Sequence, residues 1–315
     1  MNSLYVAATA VTPFLIYMGL GWLMRRVGWV DELFLRRLNT VSFKAFFPPM
    51  MFYCIYQLEG RNLQINWMFI VCALAALAIV VAGLLLIVPR LEPDDSRRGV
   101  IIQAIYRTNI VFFAMPLTES VFGASSLVPS ALLVSIVVPT YNVLAVIILE
   151  YYHGTAPSPG RLALSVVKNP LILGFLCGFA FYFLQIRLPE CIESPVIALA
   201  NPAIPLALIS LGGTIRLNET RANMRCIARV LTVKMAVLPA LSLLAFSLLP
   251  LGLAPVERFL LLVMFAAPIA SASYPMAENM GGDGKLAGEL VAVSSGISIL
   301  TLFLWVLVFS TLVPT

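Results

Sequence analysis

Ten apolar runs long enough to cross a bilayer, joined by short connections, constrain this chain more than any other feature. They fall at about 4–24, 38–57, 66–89, 98–122, 127–151, 164–184, 194–214, 226–248, 257–280 and 287–312. A hydrocarbon core about 30 Å thick takes roughly 20 mostly apolar residues in a helix. Backbone groups inside lipid must bond within their own segment, so such runs are helices rather than open strands. The chain is 61% hydrophobic and 11% charged, against about 25% charged in soluble domains. A soluble fold of 315 residues cannot hide that much apolar surface, so the excess must face lipid. The expected fold class is an all-α polytopic membrane protein with ten transmembrane helices.

Several function classes lack their residues. The sequence holds no H-E-x-x-H, no G-x-S-x-G and no Walker A loop, so neither an enzyme of those kinds nor ATP hydrolysis is expected. The lone histidine, His153, has no ligand partner nearby, and no metal or cofactor is expected. Cys54, Cys72, Cys177, Cys191 and Cys226 form no C-x-x-C pair and read as inert packing thiols. The net charge of +5 does not imply nucleic acid. Arg25 and Arg26 follow the first apolar run rather than precede it, so that run reads as a retained span and not a cleaved signal.

Where the cations lie sets the expected orientation. With the N-terminus outside, fourteen Lys and Arg fall on the inside, among them Arg25, Arg36, Arg97 and Lys285; only Arg61, Arg187 and Arg258 fall outside. Lys44, Arg107 and Lys234 lie within spans. An even number of spans puts both chain termini outside, in a multi-pass plasma membrane protein.

The two halves repeat one another. Pro13 is followed by Gly21 in span one, and Pro170 by Gly178 in span six, eight residues on in each case. Span four carries Pro116, Glu119 and Gly123, and span nine carries Pro275, Glu278 and Gly282, both as P-x-x-E-x-x-x-G. Pro48 and Pro49 of span two match Pro202 and Pro205 of span seven, and Val134-Ser135 matches Val293-Ser294. The expected organisation is a first repeat over 1–152, a short cytoplasmic linker over 153–163 and a second repeat over 164–315. An odd number of spans per half makes the second repeat inverted, a pattern found in secondary transporters. Mid-helix proline removes a donor and clashes with the preceding turn. Breaks are therefore expected at Pro116 in span four and at Pro268 or Pro275 in span nine, with half-helix ends facing a solute.

Several segments together resemble the auxin efflux carrier family. Thr108-Asn109 through Pro116-Leu117 resembles that family's N-x-x-x-x-G-x-P-L segment, with Ala114 where the glycine usually stands. Tyr141-Asn142 with Glu150 resembles its Y-N-x-L…E pattern, and Lys168-Asn169-Pro170 its N-P opening of span six. Ala267-Pro268, Ala277-Glu278 and Gly281-Gly282-Asp283 resemble its A-P-x-A…A-E…G-G-D run. Arg107 and Pro275 depart from the family pattern. The resemblance implies a scaffold and a transport domain, crossed broken helices four and nine, homodimers, and transport of small organic anions such as auxin or malonate. The short central loop resembles bacterial members.

The candidate residues follow from chemistry and depth. Asn109 near mid-membrane suits either a carboxylate or a helix-helix hydrogen bond. Arg107 either binds a carboxylate bidentately, snorkels inward or forms an ion pair. Lys44 snorkels, attracts an anion or takes the place of a coupling cation. Lys234 reads as interfacial. Asn142 is expected to line the site or to cap the break in span four, and Ser271, Ser273 and Tyr274 are expected to line the crossing. Glu119 and Glu278 are either solvated helix-end carboxylates or proton-coupling groups; the latter requires burial. The expected activity is alternating-access transport of a small organic anion coupled to protons or membrane potential. The alternative is a sodium-coupled symporter on the same fold.

Overall fold

The computed structural model describes residues 3–57, 66–153, 170–214 and 223–313. Most of the 153–163 linker, together with Arg61, Arg161, Lys168, Asn169, Arg216 and Arg221, lies outside the described residues. Among the described residues the fold is helical, with no strand longer than a single bridge.

The first half comprises α1 (Ser3–Arg26), α2 (Glu32–Val41), α3 (Phe47–Tyr56), α4 (Trp67–Leu91), α5 (Asp95–Tyr106), α6 (Ile110–Phe122) and α7 (Leu127–His153). The second comprises α8 (Pro170–Phe183), α9 (Glu190–Ala200), α10 (Ala203–Thr214), α11 (Met224–Thr232), α12 (Leu238–Leu248), α13 (Pro255–Ala266), α14 (Ser273–Asn279) and α15 (Gly284–Leu312). Five helical stretches have the length and apolarity to cross a membrane: 67–91, 127–152, 190–213, 224–248 and 284–312. Their exposed side chains include Trp67, Val71, Ile79 and Leu86 on α4 and Leu300 and Leu304 on α15. Such faces suit lipid rather than water. The chain is a multi-pass membrane protein.

Local chemistry explains the helix ends and bends. Asp31 caps α2 by accepting from the Phe34 amide at 2.6 Å, and Asn66 caps α4 from the Met68 amide at 3.1 Å. Asp94 caps α5, and its hydrogen bonds from Ser96 hold its carboxyl below the ordinary carboxylate range. Gly28, at φ +82°, lets α1 end with the Trp29 amide bonded back to Met24 and the Gly28 amide to Arg25. Two wide π turns, Ser42–Phe46 and Val233–Val237, precede Pro48 and Pro239. A proline ring clashes with the carbonyl four residues back, and the wider turn relieves that clash. The helix therefore passes through both prolines without ending.

Two helix pairs approach unusually closely. A Cβ on Gly21 of α1 would lie 1.8 Å from the Ile209 carbonyl oxygen of α10. A Cβ on Gly178 of α8 would lie 2.7 Å from the Phe52 carbonyl oxygen of α3. Only glycine admits such contact at these two places. Elsewhere α5, α6, α7 and α13 form the deepest packing, with nearly every side chain from Gly99 to Met115 and from Phe259 to Ala270 buried.

The interruptions differ from the expectation. Pro116 lies inside continuous α6, and the break in that stretch is the extended Arg107-Thr108-Asn109 segment between α5 and α6. Proline at 116 costs one hydrogen bond, which a helix otherwise bonded along its length tolerates. In the second half the break spans 267–272, so Pro268 stands within it. Pro275 is the third residue of α14, where its missing amide would have had no acceptor within the helix. The two breaks pair as an isolated antiparallel bridge between Thr108 and Ile269. The Asn109 amide donates to the Pro268 carbonyl at 2.8 Å, and the Ala270 amide to the Arg107 carbonyl at 3.3 Å. Each interruption thus supplies partners that the other lost.

Candidate functional site

A cavity of about 700 Å³ sits beside the paired breaks. Its lining comes from α2 (Glu32, Arg36, Asn39, Thr40), the α5–α6 break, α7 (Val138, Tyr141, Asn142), α10 (Ser210, Leu211), the α13–α14 break, α14 and α15.

Side chains brace the break from both halves. The Thr108 hydroxyl donates to the Met264 carbonyl at 2.9 Å and lies 3.1 Å from the Tyr141 hydroxyl. The Ile269 amide donates to the Ser294 hydroxyl at 3.2 Å. The Gln103 amide donates to the Ser273 carbonyl at 2.9 Å. A buried backbone without regular structure needs these partners. Phe112, on the cavity wall, stacks on Phe47 at 5.4 Å between ring centroids.

Arg107 is the main electrostatic feature. It is 4% exposed. Its guanidinium donates to Asn142 Oδ1 at 2.6 Å, to Gln103 Oε1 at 3.3 Å and to the Met276 sulfur at 2.8 Å. Among the described residues it forms no ion pair with a carboxylate. A buried cation without a counter-charge is costly, and neutral amides offset only part of that cost. Asn109 lines the same cavity, and its Nδ2 is buried without a partner among the described residues. A cation without a carboxylate and an unpartnered amide donor therefore border one volume.

The other expected residues divide. Asn142, Ser271 and Tyr274 line the cavity. Ser273 is buried behind it, with its hydroxyl unpartnered among the described residues and absent from the lining. Lys44 is exposed in the first π turn and does not line the cavity. Glu119 and Glu278 are exposed and lie outside the lining, so neither has the burial a proton-coupling carboxylate requires. Lys234, expected at an interface, is instead fully buried, with no hydrogen-bond partner for Nζ among the described residues.

Sequence reasoning missed Glu32, Arg36, Lys285 and Glu289, all of which line the cavity. Arg36 pairs with Glu32 at 2.7 Å and lies 5.2 Å from the Tyr274 ring centroid. Only the i,i+4 spacing of Glu32 and Arg36 hinted at the pair.

The model of a family described as membrane transport protein matches residues 6–159 and 158–306. The chain belongs to that family. It is the family that holds the auxin efflux carriers, and it is a transporter family rather than an enzyme family. No curated protein matches the chain. Membership makes the protein a membrane transporter, so the cavity is the natural place to seek its solute.

Proposed function

We propose that the protein is a secondary transporter that carries a small organic anion of the auxin or malonate kind by alternating access. One observation carries this reading: Arg107, buried beside the unpartnered Asn109 amide in a cavity at the paired breaks, lacks a carboxylate of its own. A solute carboxylate would satisfy both groups, with the guanidinium offering a fork of donors. The positive N-terminal end of α6 adds to the attraction.

The proposed frame has ten spans, two of them broken and crossing at Thr108 and Ile269. The halves, 1–152 and 164–315, are inverted copies. Supporting this, five features recur 157 residues on: Pro13 and Pro170, Gly21 and Gly178, Gly28 and Gln185, Pro48 and Pro205, Phe52 and Ile209. Gly28 and Gln185 both have positive φ and end their helices with the same pair of backward bonds. Gly21 meets Ile209 as Gly178 meets Phe52. In this frame α1, α2, α3, α8, α9 and α10 make a scaffold, the remaining helices make the moving body, and the cavity lies between them. With both termini outside, the mouth beside Arg36 and Lys285 opens inward. The protein acts as a homodimer in the plasma membrane, with proton or potential coupling.

The test is uptake by proteoliposomes of labelled malonate, related dicarboxylates and indole acetate, with and without a proton gradient. Saturable uptake that Arg107→Ala abolishes is expected. Undiminished uptake by the variant would remove Arg107 from the site, and single-channel conductance in place of saturable exchange would refute the transporter reading.

A further inference from the structure

The cavity contains a carboxylate that anion binding at Arg107 leaves unused. Glu289, near the start of α15, is 9% exposed and lines the cavity. Its Oε2 accepts from Asn223 Nδ2 at 2.7 Å. Its Oε1 is buried and has no hydrogen-bond partner among the described residues. Among those residues no cation forms an ion pair with it.

The neighbouring charges are already engaged or wet. Glu32 takes Arg25 at 3.2 Å and Arg36 at 2.7 Å. Arg97 reaches Glu289 only through Asn223, whose Oδ1 it meets at 3.2 Å, and it already faces Glu92 and Asp283 at 3.7 Å each. Lys285, one turn before Glu289, is exposed to solvent. An exposed ammonium is screened and contributes little to a buried carboxylate.

Arg107 is the converse case, a buried cation in the same cavity with no carboxylate. The cavity therefore has two unmatched poles of opposite sign. We propose that Glu289 is a subsite for a cationic group, and that the solute is a carboxylate bearing an ammonium group, as in an amino acid or amino dicarboxylate. Its carboxylate meets Arg107 and Asn109, and its ammonium meets Glu289 Oε1. A plain dicarboxylate brings a second negative charge to Glu289 at reduced dielectric, where like charges repel strongly. A plain monocarboxylate leaves Glu289 unmatched. This assignment rests on carboxylate binding at Arg107 and adds the second pole.

The experiment uses the purified full chain at neutral pH, with ligand-dependent thermal stabilisation and competition for proteoliposome uptake as readouts. The probes are amino acids from glycine to 6-aminohexanoate, with aspartate and glutamate, set against carbon-matched monocarboxylates and dicarboxylates. At some charge spacing an amino-bearing carboxylate is expected to compete at least tenfold better than both matched acids. Glu289→Gln should erase that preference, with amino-bearing probes losing at least tenfold relative to their matched acids, and Arg107→Gln should weaken every probe. Glu289→Asp, which keeps the charge on a shorter arm, should move the optimum to a longer amino acid. Equal or better competition by dicarboxylates in the native protein overturns the assignment, as does an unchanged preference in both Glu289 variants. In either case Arg107-dependent carboxylate binding would leave the proposed function standing. If no carboxylate of any kind stabilises the native protein, both fall.

Discussion

The break in the first half falls at Thr108-Asn109, a pair with no proline. Asparagine and threonine offer side-chain groups that replace lost backbone partners. Thr108 spends its hydroxyl on Met264 and Tyr141, whereas Asn109 keeps Nδ2 unused among the described residues. Asn109→Ala should therefore cost solute affinity more than stability. A hydrogen bond to a charged group contributes about 1.5–3 kcal/mol, so roughly a tenfold to hundredfold loss in affinity is expected, measured by thermal shift against ligand concentration. Lys234 offers the opposite case. Its buried Nζ has no partner among the described residues. Replacement by the apolar, similarly long methionine should stabilise the protein by about 1–3 kcal/mol, seen as a higher melting temperature in detergent. Loss of transport in Lys234→Met despite that gain would assign the lysine a functional role. The exposed Glu119 should tolerate change to Gln with uptake kept within about twofold, since isolated exposed charges contribute little.

At the scale of elements, what the sequence made legible depended on whether the cause was local. Apolar length is local, so the helical class could be read directly, whereas Gly21 and Gly178 stood out only as marks of the repeat and their close contacts with Ile209 and Phe52 are tertiary. Pro268 marked the second-half break, but the first-half break could not be read, because its stability comes from pairing between residues about 160 apart, Thr108 and Ile269. Proline was the only local cue, and it pointed eight residues too far along, to Pro116. For the same reason nothing in the sequence joined Glu32, Arg36 and Glu289; only the packing of α2 against α10 and of α14 against α15 turns them toward one cavity. Two predictions follow from the element geometry. Pro116→Ala adds an amide that a continuous helix can bond, so stability should hold or rise and solute affinity should not change. Gly178→Leu forces a side chain into the Phe52 backbone, and Gly21→Leu does the same at Ile209. Overpacking of this kind costs about 1–3 kcal/mol or more, and thermal melting should register similar losses in both variants if the two contacts are copies.

At the scale of the molecule, the proposed inversion has a consequence that packing alone does not. Two copies related by a two-fold axis in the membrane plane must place their matching turns on opposite faces. Gly28 and Gln185 end their helices in the same way, 157 residues apart. A direct repeat would put both turns on one side, and an inverted repeat separates them. Cysteines introduced at Gly28 and at Gln185, in a background with native cysteines replaced, should react with a membrane-impermeant maleimide from opposite sides. Asp94→Cys and Lys285→Cys should label with the Gly28 site, because they flank spans that begin on that face. Saturating solute should slow labelling of Ser295→Cys inside the cavity without changing the labelling of Asp94→Cys. Matching turns on one face would leave the two halves as direct copies. The paired breaks would then not be related by a two-fold axis, and a rocking motion that opens the cavity alternately to each side would lose its structural basis.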